Sequence, residues 1–190
     1  MFLELPTYHP MQKGSIEVIC GSMFSGKTEE LLRRLKRAKY GKLNIKVFKP
    51  KTDIRYDEKR VVSHDDNFIK SIAIDSSNEI LKLAKNTKVI AIDEAQFFDD
   101  ELFKVCNLLA NKGIRVIVAG LDMDFLGVPF GSMSNLLAVA EHVTKVHAIC
   151  VDCGSIANNS LRKSSDEQLV KLGRFDEYKP LCRKCFHQQI

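Results

Sequence analysis

The sequence predicts an α/β protein with a doubly wound, mostly parallel sheet and a small C-terminal zinc-binding domain. Short apolar runs alternate with segments of helical spacing as far as residue 149. The run "GSMFSGKT", residues 21–28, follows a strand-like segment and has the glycine spacing of a phosphate-binding loop. Two Cys-x-x-Cys pairs follow residue 149. We therefore expect a nucleotide-binding core at 1–149 and a zinc-binding domain at 150–190.

The elements before residue 88 follow from apolar spacing and from breakers. Leucines at helical spacing predict a helix from Gly26 to about Tyr40, and a serine can cap a second helix in "SSNEILKLAK". The predicted strands are "SIEVIC", "NIKVFKP", which Pro50 ends, and "FIKSIAI".

The clearest strands lie in the second half of the core. "KVIAID" and "IRVIVAGL" are almost continuously apolar, as expected when helices cover both faces of a parallel sheet. The remaining predicted elements are a helix in "DDELFKVCNLLANKG" closed by Gly113, a helix in "GSMSNLLAVAEH" and a last strand in "VTKVHAIC".

Composition excludes several classes of protein. No apolar run approaches the roughly 20 residues that span a bilayer, and the N-terminus lacks the pattern of a secretion signal. We therefore expect a cytoplasmic protein without membrane partners. The net charge of +5 suits anionic nucleotides and is too small to indicate nucleic acid. The basic cluster "LLRRLKRAKYGK" is interpreted as the solvated face of a helix, and Cys20 and Cys106 as buried apolar residues.

The phosphate-binding loop implies nucleotide chemistry. Glycines at 21 and 26 let backbone N–H groups surround phosphate oxygens, and the following helix adds its positive end. Lys27 would reach the terminal phosphates, and the Thr28 hydroxyl would ligate Mg²⁺. The expected nucleotide contacts are Gly21, Ser22, Met23, Phe24, Ser25, Gly26, Lys27 and Thr28.

A strand that ends in acid is the usual companion of such a loop. "VIAIDEAQFF" places Asp93 at the tip of a strand, where it would support Mg²⁺, and Glu94 beside it as a proton acceptor. Ala95 and Gln96 complete this segment. If Glu94 activates water, the protein is an ATPase; if it activates a substrate hydroxyl, the protein is a kinase. "DEAQ" keeps open a single-core, zinc-bearing ATPase that nucleic acid stimulates.

Four cysteines predict a structural zinc site. Cys150, Cys153, Cys182 and Cys185 form two Cys-x-x-Cys pairs with 28 residues between them. Four thiolates suit tetrahedral Zn²⁺ and leave no open position for catalysis. The intervening residues, pinned at both ends, would form a loop that holds a second substrate, with "QLVKLG" as one arm.

In combination, these motifs resemble type II thymidine kinases, which share a RecA-like, phosphate-loop core. The motifs are "GSMFSGKTEEL", "KPKTDIRY", "AIDEAQFF", "GLDMDFLGVPFG" and the two cysteine pairs, from about Gly14 to Cys185. The resemblance implies transfer of the γ-phosphoryl group of ATP to the 5′-hydroxyl of thymidine. It implies that Glu94 is the catalytic base and that Arg55 balances charge near the transferred group.

The resemblance also implies a thymidine pocket, a homotetramer and inhibition by thymidine triphosphate. A small residue near the thymine methyl group corresponds to Ser160, where many members of the family carry threonine. The implied pocket residues are Met23, Phe97, Leu121, Phe125, Phe130, Ser160, Leu169, Gly173 and Tyr178.

Overall fold

The computed structural model describes residues 14–52, 60–62, 68–163 and 177–190. The strands are β1 Ser15–Cys20, β2 Ile45–Pro50, β3 Arg60–Val62, β4 Phe68–Lys70, β5 Ile72–Ile74, β6 Val89–Ile92, β7 Arg115–Gly120, β8 His142–Lys145, β9 Ala148–Ile149, β10 Ile156–Ala157, β11 Asn159–Arg162 and β12 Tyr178–Leu181. The helices are α1 Lys27–Tyr40, α2 Asn78–Leu83, α3 Leu102–Asn111, α4 Met133–Val139 and α5 Arg183–His187, and Ala95–Phe97 forms a 3-10 turn. None of the helices in these ranges is long and apolar enough to cross a membrane.

Within the described ranges, the main sheet has six strands in the order β5-β2-β6-β7-β1-β8. All of its pairings are parallel. The predicted doubly wound α/β sheet is therefore confirmed. Strand β7 lies between β1 and β6, so the segments that follow these three strands meet at one edge of the sheet.

Helices cover both faces of the sheet, because apolar residues of the strands point to both. Along β1, Val18 belongs to the apolar cluster that includes Leu102 and Val105 of α3. Ile19 belongs to the cluster on the opposite face, which includes Leu31 of α1. The almost continuous apolar character of these strands is thus explained by two-sided burial.

Some elements differ from the predictions. "FIKSIAI" forms two strands, because β4 pairs with β3 in a separate antiparallel ribbon whereas β5 joins the main sheet. Residues 142–149 likewise divide into β8 and β9. The predicted serine cap of α2 is provided by Ser76, whose Oγ accepts the Asn78 N–H at 3.4 Å and whose own N–H donates to Glu79 Oε1 at 3.1 Å. The neighbouring Ser77 hydroxyl makes no capping bond and donates instead to Asp99 Oδ1 at 2.5 Å.

The interpretation of the basic cluster as a solvated face is wrong for Arg34, whose side chain is fully buried. Its guanidinium donates to Glu17 Oε2 at 2.8 Å, to Glu30 Oε1 at 2.8 Å and to Thr144 Oγ1 at 2.9 Å. Arg115 Nε lies 2.5 Å from the other oxygen of Glu17. These bonds join α1 to β1, β7 and β8, and they provide the ionic partners that a buried arginine requires.

The C-terminal part of the chain builds a second, smaller cluster. β9 pairs with β10 and β11 with β12, both antiparallel. The buried residues beside these ribbons and α5 are Ala148, Cys150, Ala157, Leu181, Cys185 and Phe186. Phe24 of the phosphate-binding loop packs against this cluster, so the loop contacts both the main sheet and the C-terminal unit.

Candidate active site

The phosphate-binding loop joins β1 to α1 through two glycines with positive φ. Gly21 has a φ of 147°, and a Cβ there would lie 2.1 Å from the carbonyl oxygen of Val146. Gly26 has a φ of 85° and caps α1. The first N–H groups of α1 have no carbonyl one turn earlier in the helix. They are therefore available to an anion at the positive end of the helix.

The interior of this loop is closed by hydrogen bonds to one carbonyl. Lys27 Nζ donates to the Ser22 carbonyl at 2.7 Å, and Ser25 Oγ donates to the same oxygen at 2.8 Å. Phe24 has a φ of 63°, which is uncommon for a residue with a side chain. This conformation turns the loop so that Phe24 reaches the C-terminal cluster while Lys27 stays beside the loop backbone.

Two consecutive acids follow β6 at the same edge of the sheet. The Asp93 N–H donates to the Phe48 carbonyl at 3.0 Å, which extends the pairing of β6 with β2 by one bond. Asp93 is buried, and its Oδ1 accepts the N–H of Glu94 at 3.0 Å. Glu94 has a left-handed backbone, with a φ of 52°. Such strain is concentrated at functional sites.

Gln96 connects Glu94 to the next strand. Its Nε2 donates to Glu94 Oε2 at 2.5 Å, and its Oε1 accepts the N–H of Leu121 at 2.9 Å. A Cβ on Gly131 would lie 2.5 Å from the Gln96 carbonyl oxygen, so only glycine fits there. The Glu94 carboxylate is thus held by a buried amide that is itself fixed by the backbone after β7.

An ion pair spans the end of β1, from which the loop starts. Asp122 Oδ2 lies 2.6 Å from Lys145 Nζ, and Cys20 is paired with β7 on one side and with Lys145 on the other.

Burial, with a smaller contribution from Asp122, raises the pKa of the Cys20 thiol to about 11. Burial alone raises the pKa of Cys106 to about 12. Both thiols are buried, as predicted, and stay protonated near neutral pH.

The C-terminal unit bonds directly to the phosphate-binding loop. The Met23 N–H donates to Ser160 Oγ at 2.9 Å, and the Ser22 hydroxyl donates to the Ala157 carbonyl at 3.3 Å. Ser160 is buried on β11. The structure therefore brings together Met23 and Ser160, both of which were predicted to line the nucleoside pocket.

The predicted aromatic residues form two groups. The rings of Phe97 and Phe130 meet edge to face, with centroids 5.7 Å apart. In the other group, Arg162 stands between Phe125 and Tyr178: its guanidinium carbon lies 3.8 Å from the Phe125 ring centroid, and two of its nitrogens donate to Tyr178 Oη.

Sequence reasoning missed Arg162. A signal was available, because an arginine two residues after Ser160 on one strand points to the same side as that serine. Arg55, Leu169 and Gly173 lie outside the described residues. Their assignments stay predictions.

The four predicted zinc ligands converge. The sulfurs of Cys150, Cys153, Cys182 and Cys185 all lie within 4.8 Å of one another, and those of Cys153 and Cys182 are 3.6 Å apart. Four sulfurs around Zn²⁺ are separated by roughly 3.8 Å, given a Zn–S bond of about 2.3 Å and tetrahedral angles. The donor set therefore fits zinc.

The sulfurs of the cluster also shift one another's pKa values, because they lie within hydrogen-bonding distance. Hydrogen bonds from Ser155 lower the pKa of Cys153 to about 6. The hydrogen bond with Cys182 raises the pKa of Cys185 to about 12. Cysteine ligates a metal as the thiolate, so a bound divalent ion would displace the thiol protons of these residues.

Comparisons with known proteins agree on one family. A family model described as "Thymidine kinase" matches residues 14–186. A thymidine kinase of Porphyromonas gingivalis is 57% identical over 178 residues, which cover 94% of this chain and 87% of that protein. A thymidine kinase of Bacteroides fragilis is 55% identical over 190 residues, which cover 100% of this chain and 96% of that protein. One of Bacteroides thetaiotaomicron is 56% identical over 186 residues, covering 98% and 94%. With a match from the phosphate-binding loop to the last cysteine, the chain belongs to the thymidine kinase family.

Proposed function

We propose that the protein transfers the γ-phosphoryl group of ATP to the 5′-hydroxyl of thymidine, giving thymidine monophosphate. The observation that carries this proposal is the placement of Glu94 at the same sheet edge as the phosphate-binding loop, in a chain that matches thymidine kinases almost end to end. A carboxylate in that position can accept the proton of an attacking hydroxyl.

The phosphate donor would occupy the loop at residues 21–28. Lys27 would exchange its bond to the Ser22 carbonyl for the phosphates, and the first N–H groups of α1 would complete the anion site. Mg²⁺, held by Thr28 and supported by Asp93, would neutralise charge on the phosphate oxygens. Ala95 and Gln96 border this site.

Glu94 would take the proton of the 5′-hydroxyl as the bond to phosphorus forms. The Gln96 amide would orient the carboxylate, because its Nε2 donates to Glu94 Oε2. Arg55 would balance the charge that develops on the transferred group.

Thymidine would lie between the phosphate-binding loop and the C-terminal unit. The base would contact Phe125 and Tyr178, while Phe97 and Phe130 would close another side of the pocket. Met23, Leu121 and Ser160 would border the thymine methyl group. Leu169 and Gly173 would contribute backbone groups that pair with the polar edge of the base, which favours one base over another.

Zinc would be structural. It would hold the two ends of the 154–181 segment at one point and thereby order the groups that contact the nucleoside. We further propose a cytoplasmic homotetramer that thymidine triphosphate inhibits, since that ligand could fill the donor and nucleoside sites together.

The proposal is tested by thymidine-dependent ADP release. Purified protein is supplied with ATP and Mg²⁺, with and without thymidine, and thymidine monophosphate is identified by mass spectrometry. Release that requires thymidine and matches the monophosphate formed supports the proposal. Release without thymidine that single-stranded DNA stimulates would instead support an ATPase acting on nucleic acid.

A further inference from the structure

We propose that Arg162 is the positioning residue of the nucleoside pocket: it holds Phe125 and Tyr178 in the orientation that the base requires. The inference rests on the proposed function, because only there do these two rings line the pocket. It assigns Arg162 an effect on nucleoside affinity that the phosphate donor does not share.

Arg162 is a buried residue of the antiparallel ribbon that β11 and β12 form. It is the last residue of β11 and is paired with Tyr178, the first residue of β12. Its Nε donates to Tyr178 Oη at 3.0 Å and its second terminal nitrogen to the same oxygen at 2.8 Å. Two donors from one planar group fix the phenol oxygen in direction as well as in distance.

The same guanidinium reaches a different part of the chain. Its central carbon lies 3.8 Å from the centroid of the Phe125 ring, which is the distance of a stacked contact. Phe125 belongs to the segment after β7, whereas Tyr178 belongs to the C-terminal unit. One side chain therefore connects the two parts of the chain that supply the pocket.

This arrangement limits where a base can lie. The guanidinium covers one face of the Phe125 ring, so a base can use only the other face or the edge. The Tyr178 ring centroid is 5.4 Å from the guanidinium carbon, so the ring stands beside the cation, and the two bonds to its hydroxyl oppose its rotation. Both rings are preorganised, and binding thymidine does not have to order them.

A lysine at position 162 would keep the charge and lose the arrangement. An ammonium group is compact and cannot stack as a plane while donating twice in one direction. The rings would then sample other rotamers in the free protein, and ordering two of them on binding weakens affinity by roughly tenfold. The donor site is built from residues 21–28 and Asp93, whereas the contacts that Arg162 makes with Tyr178 and Phe125 lie in the proposed nucleoside pocket.

The experiment compares Arg162→Lys and Tyr178→Phe with the unaltered protein. Thymidine affinity is measured by isothermal titration calorimetry, and kcat and both KM values are measured by ADP release. We expect Arg162→Lys to raise the Kd and KM of thymidine roughly tenfold, with the KM of ATP within about twofold. Tyr178→Phe should also raise the Kd and KM of thymidine. A variant that carries both changes should bind thymidine about as weakly as the more impaired of the two single variants, because both changes break one network.

Arg183→Lys is the matched control, since Arg183 is an exposed arginine of the same unit and should leave every value unchanged. Thermal unfolding and zinc content verify that each variant is folded. If Arg162→Lys does not fold, Tyr178→Phe tests the inference by itself, because it removes the hydroxyl that accepts from Arg162 and keeps the aromatic ring.

Thymidine affinities within twofold of the unaltered protein in the folded variants overturn the inference, as does an equal rise in the KM of ATP. If the unaltered protein does not phosphorylate thymidine, the proposed function fails instead, and that result is independent of any change at Arg162.

Discussion

The backbone N–H of Met23 donates to the buried hydroxyl of Ser160 at 2.9 Å, across 137 positions of sequence. This bond joins the phosphate-binding loop to the C-terminal unit. Phe24 of the same loop also packs against the cysteine-bearing cluster. The C-terminal unit therefore contacts the donor site and also carries part of the predicted nucleoside site. A change at this contact itself should therefore affect both sites.

Replacing Ser160 by alanine should weaken both substrates. The Met23 N–H would lose the acceptor that the structure gives it, and leaving this partly buried donor without a partner costs about 1 kcal/mol, the lower end of the range for buried donors. We expect a lower midpoint of thermal unfolding and higher KM values for ATP and for thymidine. Steady-state kinetics with each substrate varied in turn provide the measurement.

Ser132→Ala is the matched control for this change. The Ser132 hydroxyl is buried and has no hydrogen-bond partner among the described residues, so its removal should cost little. If Ser160→Ala resembles Ser132→Ala in stability and in both KM values, the bond to Met23 contributes nothing to the site.

Replacing Glu94 by glutamine should abolish turnover while sparing nucleotide binding. Glutamine keeps an oxygen that can accept from Gln96 Nε2, so the local geometry survives, but it cannot accept a proton. We expect kcat to fall about 100-fold or more, as is typical when a positioned base is removed. Single-turnover kinetics and the binding of a non-hydrolysable ATP analogue separate the two effects.

Asp100→Asn serves as the control for Glu94→Gln, because Asp100 is an exposed carboxylate shortly after the same turn. It should leave kcat unchanged. Turnover by Glu94→Gln at the level of this control would remove Glu94 from the reaction.

Features that depend on residues close together in the sequence could be predicted, whereas features that depend on contacts between distant residues could not. Three features are local patterns: the phosphate-binding loop, the acid after β6 and the cysteine pairs. Binding phosphate, supporting Mg²⁺ and ligating zinc each require particular residues at a fixed spacing, so these patterns can be recognised in the sequence. The resemblance added the aromatic residues of the pocket. The burial of Arg34 was not predicted, because its helix shows a basic stretch and only the folded sheet brings Glu17 alongside it.

The contacts between distant segments escaped prediction for the same physical reason. Nothing near Ser160 in the sequence indicates that its hydroxyl meets the loop at Met23. Gln96 was assigned to the nucleotide site, but its amide bridge depends on the register of β6 beside β7. The sequence predicts a serine cap for α2, which Ser76 provides, but it does not show that the adjacent Ser77 hydroxyl bonds to Asp99, 22 positions along the chain.

Replacing Gln96 by glutamate should change the pH dependence of turnover. The new side chain keeps an acceptor for the Leu121 N–H, but places a second carboxylate against Glu94, where the amide now lies 2.5 Å away. Two carboxylates that share a site raise the pKa of one of them. A base works only when it is deprotonated, so activity should be present above the raised pKa and lost as the pH falls through it.

The measurement for Gln96→Glu is the pH profile of kcat, and the acid limb should move to higher pH than in the unaltered protein. Gln96→Met, which has no charge and no donor, separates the like-charge effect from the lost hydrogen bond: it should lower kcat and move the limb less far than Gln96→Glu does. A limb that stays in place in Gln96→Glu would mean that Glu94 is not the titrating base.

Removing zinc should impair both substrates, and thymidine more than ATP. The metal would hold the ends of the 154–181 segment. Four of the nine proposed pocket residues come from this segment, including the two that would pair with the polar edge of the base, so thymidine loses part of its site. ATP is affected through Phe24, which packs against the apolar cluster to which Cys150 and Cys185 belong. The change is made by Cys153→Ser or by chelation, and zinc content, thermal unfolding and both KM values are measured. Cys106→Ala, in the main core and outside the cluster, should retain its zinc and its KM values. Zinc-free protein with both KM values unchanged would show that neither substrate site depends on the metal.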